Sequence, residues 1–101
     1  ESHPGHEIAA RQMHGGFGGI VSVQLAAGAE AAKHFVDHTQ IFTLAESLGG
    51  VESLIEVPAA MTHASVAGTT LQVPANLVRI SVGIENADDL IADLKQALDR
   101  I

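Results

Sequence analysis

Residues 77–98 constrain the fold more than any other stretch of this chain. Val78, Ile80, Val82 and Ile84 recur at every second position, with Arg79 and Ser81 between them. That is the period of a β-strand, whose successive side chains leave opposite faces of the pleat. Directly afterwards the period changes. Leu90, Ile91, Leu94, Ala97, Leu98 and Ile101 fall on one stripe at helical spacing. Asn86 stands where an N-cap belongs and Asp88 and Asp89 fall in the first turn, while Lys95 and Arg100 lie toward the other end. The helix dipole favours that order of charges. A strand with one apolar face, followed at once by a helix with one apolar stripe, predicts a helix layered on a sheet.

The rest of the chain repeats the theme. His3 to Met13 reads as a short helix behind Pro4, with Ile8, Ala9 and Met13 as apolar contacts. Gly15-Gly16-Phe17-Gly18-Gly19 ends it. In the next strand Val21, Val23 and Leu25 alternate with Ser22 and Gln24. Ala29, Ala32, Phe35 and Val36 give helical spacing over 29–38, and Ile41 to Ala45 reads as another strand. Residues 47–67 are mixed, punctuated by Gly49-Gly50 and Pro58. The expected order is helix, strand, helix, strand, irregular, strand, helix. Strands with one apolar and one polar face predict an α+β two-layer sandwich: a small, mainly antiparallel sheet with helices on one face. The other face carries Arg79, Ser81, Ser22 and Gln24, and in an isolated domain it would meet water.

At 101 residues there is room for one domain and one core. Three aromatic residues against 47% apolar content make that core aliphatic. A formal charge of −7 disfavours nucleic acid and anionic membranes as partners. No apolar run approaches the ~20 residues of a membrane helix. With no cysteine there is no disulfide framework and no thiolate chemistry. No signal peptide is visible at Glu1, and the expectation is a cytoplasmic domain or domain fragment.

Few residues promise chemistry. Arg79 sits mid-strand, where an unpaired guanidinium is costly. Its planar fork suits a carboxylate ligand. Taken alone, the residues favour a salt bridge to Glu46, Glu52 or Glu85, or plain solvation. Ser47 follows a predicted strand and precedes the Gly49-Gly50 turn; it either donates to an anion or caps the turn. Glu46 beside it reads equally well as a solvated carboxylate, and Thr62 as a turn hydroxyl. His3 and His6, and the helical pair His34 and His38, lack the carboxylate or thiol that would complete a metal set, and read as surface residues. The glycine run precedes a strand, whereas a phosphate loop precedes a helix, so it reads as a strand entry.

Three motifs go further in combination. Ile41-Phe42-Thr43-Leu44 leads into Ala45-Glu46-Ser47-Leu48-Gly49-Gly50-Val51-Glu52-Ser53-Leu54-Ile55. Met61-Thr62-His63-Ala64-Ser65 follows, then Leu77-Val78-Arg79-Ile80-Ser81-Val82-Gly83-Ile84-Glu85. In this order they resemble the C-terminal domain of the Cys/Met-metabolism enzymes that use pyridoxal phosphate (PLP), the trans-sulfuration family. The resemblance runs from His3-Pro4-Gly5-His6 to Leu98. It implies that Arg79 holds the α-carboxylate of an amino-acid substrate with help from Ser47. It places Glu46 by the distal part of the substrate and Thr62 on the substrate side of the pocket. It also implies that 1–101 is a C-terminal domain, with the Schiff-base lysine and the phosphate site of PLP in an N-terminal domain outside this chain. Lys33 and Lys95, the two lysines present, lie on the polar sides of predicted helices. On this reading the chain alone is inactive and carries no PLP.

Within the family, the short connection 67–76 is similar to that of bacterial γ-synthases, and Glu56-Val57-Pro58 to many γ-lyases. The expectation is cystathionine γ-synthase, which replaces the acyl group of an O-acyl-homoserine by cysteine in methionine biosynthesis. Cystathionine γ-lyase and O-acylhomoserine sulfhydrylase are the alternatives. The resemblance implies a homo-oligomer, typically a tetramer, with the remainder of the same enzyme as partner. A different class of reading is a non-catalytic binding or assembly module that uses the polar sheet face.

Overall fold

The computed structural model describes residues 1–61 and 68–101. Its elements run α1 (His6–Gln12), β1 (Ile20–Gln24), α2 (Ala29–Asp37), β2 (Thr43–Leu44), β3 (Leu54–Glu56), α3 (Pro58–Met61), β4 (Leu77–Ser81) and α4 (Ala87–Leu98). The strands form one sheet in the order β1-β4-β3-β2. β4 pairs antiparallel with both β1 and β3, and β2 pairs parallel with β3. The sheet is thus mixed but mainly antiparallel, and the two-layer expectation holds.

Alternation on β4 sorts the residues. Val78 and Ile80 point into a core with Ile55 of β3, Ala32, Phe35 and Val36 of α2, and Leu90 and Ala97 of α4. Phe42 and Val57 complete it, and Leu25 and Leu94 pack at its margin. Each large aliphatic side chain removed from water there contributes roughly 1.5–3 kcal/mol. Asn86 caps α4 as its position predicts, its side chain accepting the Asp89 N–H at 3.2 Å.

Five expectations need correction. On α4 the buried face runs through Leu90, Asp93 and Ala97 with Leu94 at its margin, while Ile91 and Leu98 on its flanks, and Ile101 beyond the helix end, are exposed. The mixed stretch 47–67 contains a strand, β3, buried on both faces at Leu54, Ile55 and Glu56. Short length and a central carboxylate hid it, since three residues cannot display a period. Ile8 and Met13 stay exposed, and α1 buries nothing. The apolar alternation of β4 outlasts the sheet: Val82 and Ile84 lie past its last ladder pair and are exposed, Ile84 at 82%. Lastly, the polar face does not simply meet water. Ser22 and Gln24 on the edge strand do, but Ser81 is buried and the Arg79 side chain is only 15% exposed.

Asp93, a buried carboxylate on α4, ties the helix layer to the entry of β2. Its Oδ1 accepts the Gln40 N–H at 2.7 Å, and its Oδ2 accepts those of Ile41 and Phe42 at 2.7 and 3.1 Å. Gln96 donates to Asp93 Oδ1 at 3.0 Å and to the His38 carbonyl at 2.6 Å. Burial pushes the Asp93 carboxyl upward, but the N–H groups of Gln40, Phe42 and Ile41 and the Gln96 amide outweigh it, and its pKa lies below the ordinary aspartate value. A depressed pKa stabilises the fold fully above the unfolded-state value and is lost as pH falls through the folded-state value. Asp93→Ala, which orphans three donors, is expected to cost about 3 kcal/mol in urea unfolding at neutral pH. Its deficit against the parent protein should shrink as the pH drops below the aspartate range; a deficit that stays constant would contradict this assignment.

Candidate functional site

Arg79 leaves β4 on the face opposite the core, flanked in register by Ser22 of β1 and Glu56 of β3. Its Nη2 lies 2.9 Å from Glu56 Oε1, and the Glu56 side chain is 1% exposed. The same Nη2 donates to the Glu46 carbonyl at 2.9 Å and faces the Ser47 carbonyl at 3.4 Å. Three of the four expected site residues therefore come into question together. Arg79 and the pair Glu46 and Ser47 do meet, through the backbone of the loop after β2. Thr62 lies outside the described residues.

The salt-bridge partner differs from the sequence expectation. Among the described contacts the partner is neither the Glu46 carboxylate nor Glu52 nor Glu85, but Glu56, one position beyond Ile55 on the strand that sequence reasoning missed. The signal was present: a single carboxylate inside the apolar run Leu54-Ile55-Glu56-Val57. A buried acid calls for a nearby cation.

A second network explains how the loop keeps its place. Ser81 Oγ accepts the Gly49 N–H at 2.8 Å. Glu85 Oε2 accepts the Ser53 N–H at 2.9 Å, while the Ser53 hydroxyl donates to Glu85 Oε1 at 2.6 Å and accepts the Gly83 N–H at 2.8 Å. The Ile84 N–H adds a bond to the Val51 carbonyl at 2.9 Å. The two motifs Glu46–Ser53 and Arg79–Glu85 are thus one structure. The Ser53 hydroxyl, then the Ser53 N–H, hold the Glu85 carboxyl below the ordinary glutamate value. Gly49 turns the loop with φ 78°, a conformation that favours glycine.

Could these residues hold PLP covalently? Lys33 and Lys95 are 54% and 75% exposed and pair on their own helices with Glu30 and Asp99, each at 3.3 Å. Both helices cover the sheet face opposite Arg79. Neither lysine fits a Schiff base beside this site. Among the described residues no group of three His, Cys, Asp or Glu side chains converges on a metal position. His34 and His38 instead stack, ring centroids 4.1 Å apart, and His38 Nδ1 lies 2.7 Å from the His34 carbonyl. No described helix is long and apolar enough to cross a membrane.

What the geometry offers is a cation whose orientation is set by Glu56 and the loop backbone. The family described as Cys/Met metabolism PLP-dependent enzyme matches residues 1–99. Cystathionine gamma-synthase of Mycobacterium leprae is 65% identical over 97% of this chain, which spans 25% of that protein. Cystathionine beta-lyase of Lactococcus lactis is 53% identical over 98% of the chain and 26% of its own length. Cystathionine gamma-lyase of Dictyostelium discoideum is 50% identical over 98% and 26%. The crystal structure of metB from Corynebacterium glutamicum superposes with a TM-score of 0.94 at 60% identity, covering 99% of this chain and 26% of that one. The chain spans about a quarter of the length of the curated relatives it matches.

Packing around the loop makes one position intolerant. A Cβ on Gly83 would fall onto the Val51 carbonyl oxygen and 2.7 Å from the Glu52 carbonyl carbon. Gly83→Ala is therefore expected to destabilise the protein by about 3 kcal/mol, because backbone has to move. Gly50→Ala meets nothing within 4 Å and should be nearly silent. Thermal unfolding of the two variants checks the contrast; equal losses would remove the claim that the loop is clamped at Gly83.

Proposed function

The chain belongs to the Cys/Met-metabolism PLP-dependent enzymes, and from that premise we propose that it forms the C-terminal, substrate-carboxylate-binding part of a cystathionine γ-synthase. The observation that carries the reading is Arg79 itself: a guanidinium mid-sheet, 15% exposed, oriented by Glu56 and by the backbone of Glu46 and Ser47. A fixed planar cation binds a carboxylate in a set direction, and orientation of a substrate lowers a barrier by several kcal/mol even without touching the reacting bond. In this reading Arg79 and Ser47 take the α-carboxylate and Glu46 borders the distal part of the substrate; a substrate-binding role for Thr62, which lies outside the described residues, rests on the family resemblance alone.

The relatives named cystathionine gamma-synthase are 65–67% identical, those named beta- or gamma-lyase 50–53%. That difference favours γ-replacement of an O-acyl-homoserine by cysteine, in methionine biosynthesis, over cleavage of cystathionine. Cystathionine is itself an amino acid, so a carboxylate site suits every one of these activities. PLP serves the family as an electron sink; the Schiff-base lysine and phosphate site belong to the rest of the enzyme, which acts in the cytoplasm as a homo-oligomer. The edge strand supports a covering partner. Val21 and Val23 share the core face with Ile80 and Val78 yet are 44% and 36% exposed, since the helix layer stops short of them. The rest of the enzyme would cover this strip.

The test uses the complete enzyme. γ-Replacement should exceed cystathionine cleavage; the reverse order makes it a lyase. Arg79→Ala is expected to lower kcat/KM for the amino-acid substrate by about 100-fold, and Arg79→Lys, which keeps charge without the fork, by about 10-fold. A wild-type value in Arg79→Ala would end the carboxylate assignment.

A further inference from the structure

We propose that Glu56 is a positioning residue for Arg79, which both aims the guanidinium and cancels its charge, so that the site recognises a carboxylate by bond direction rather than by attraction. The inference rests on the reading that Arg79 takes the substrate carboxylate. Glu56 stands directly opposite Arg79 in the antiparallel pair β3–β4, with its Oε1 2.9 Å from Nη2. It is almost completely buried, in a strand whose neighbours Leu54, Ile55 and Val57 are buried too. A carboxylate in such surroundings cannot swing away, so the contact holds the guanidinium where an exposed acid would not.

The placement is informative because it opposes simple anion capture. A site built to attract anions would leave its arginine uncompensated. Here the nearest side-chain charge is of opposite sign, and the loop adds two carbonyl oxygens at 2.9 and 3.4 Å on the same Nη2. Paired charges at this distance leave a dipole, whose field fades faster than that of a lone charge. A ligand then gains only through short, directed hydrogen bonds to the guanidinium. The substrate chemistry that fits is an α-amino acid zwitterion, which carries a carboxylate but no net charge. An inorganic dianion such as sulfate, which depends on long-range attraction, is discriminated against.

The experiment compares Glu56→Gln with the parent in the complete enzyme, at constant ionic strength, after thermal melting has verified the fold. Expected for Glu56→Gln is a KM for the amino-acid substrate raised about 10-fold with kcat changed less than about 3-fold. Competitive inhibition by inorganic sulfate should strengthen about 10-fold, because an uncompensated cation is exposed. A merely structural glutamate would not sharpen sulfate inhibition. A folded Glu56→Gln enzyme with unchanged KM and unchanged sulfate inhibition overturns the proposal. If the glutamine variant does not fold, Glu56→Asp decides, since it keeps the charge and withdraws the carboxylate by one methylene. A KM raised about 3-fold or more, with sulfate inhibition as in the parent, supports positioning, and an unchanged KM overturns it. Arg79→Lys runs alongside: if its KM is that of the parent, the carboxylate reading itself has failed, separately from the role of Glu56.

Discussion

A guanidinium in the middle of a sheet needs its charge answered, and Glu56 answers it from the adjoining strand. Much of the structure around the site follows from that pair. Moving a carboxylate out of water is costly unless a cation and hydrogen bonds receive it. Arg79 meets that requirement only if β3 lies next to β4 in the register that sets Glu56 opposite Arg79. A slip by one residue would send Glu56 into the aliphatic core and bring Ile55 onto the polar side. The ion pair therefore specifies register. Its net contribution to stability is small, because desolvation offsets most of the attraction.

With the register set, the loop between β2 and β3 has to run over the polar face. It brings the carbonyls of Glu46 and Ser47 to Arg79, then descends to Ser81 and Ser53. Its far end is tied by Glu85, which lies beyond β4 and receives both the amide and the hydroxyl of Ser53. The ties lie on both sides of Gly49, so the turn is suspended between two anchored segments. On the opposite side of the sheet Asp93 performs a similar service for the entry to β2, gathering three successive amides. Two short strands, β2 and β3, thus have their entries anchored by side-chain carboxylates from outside the sheet, in addition to their own ladders.

The long periodic elements were legible in the sequence. The β4 alternation, the α4 stripe with its Asn86 cap, and α2 each carry a signal that repeats several times. β3 does not: three residues, one of them charged, show no period. Without a visible strand there is no register to set Glu56 opposite Arg79, so the sequence shows the arginine but not its partner. Val82 and Ile84 mislead in the opposite way. Their alternation is real, but Gly83 is pressed against the Val51–Glu52 backbone and the chain leaves the ladder there. Periodicity reports which way side chains point and says nothing of whether anything covers them. The roles of Ser53 and Glu85 were hidden for a third reason. They join residues 32 apart in the chain, and a hydrogen bond across that separation leaves no local trace.

The same distinction separates family from reaction. Relatives named for γ-replacement and for β- or γ-cleavage are alike over nearly the whole of this chain. A segment shared at that level by enzymes of different names is a poor place to look for what makes their reactions differ. It is a good place to look for what they hold in common, and the carboxylate-binding role proposed for Arg79 would suit every one of them. The −7 charge of the chain reinforces the point. A lone arginine on an acidic protein would compete for anions against the field of its own surface, and salt would screen whatever attraction remained. A neutralised arginine avoids that competition, because its selectivity is decided at hydrogen-bond distance, where the field of the whole molecule matters least.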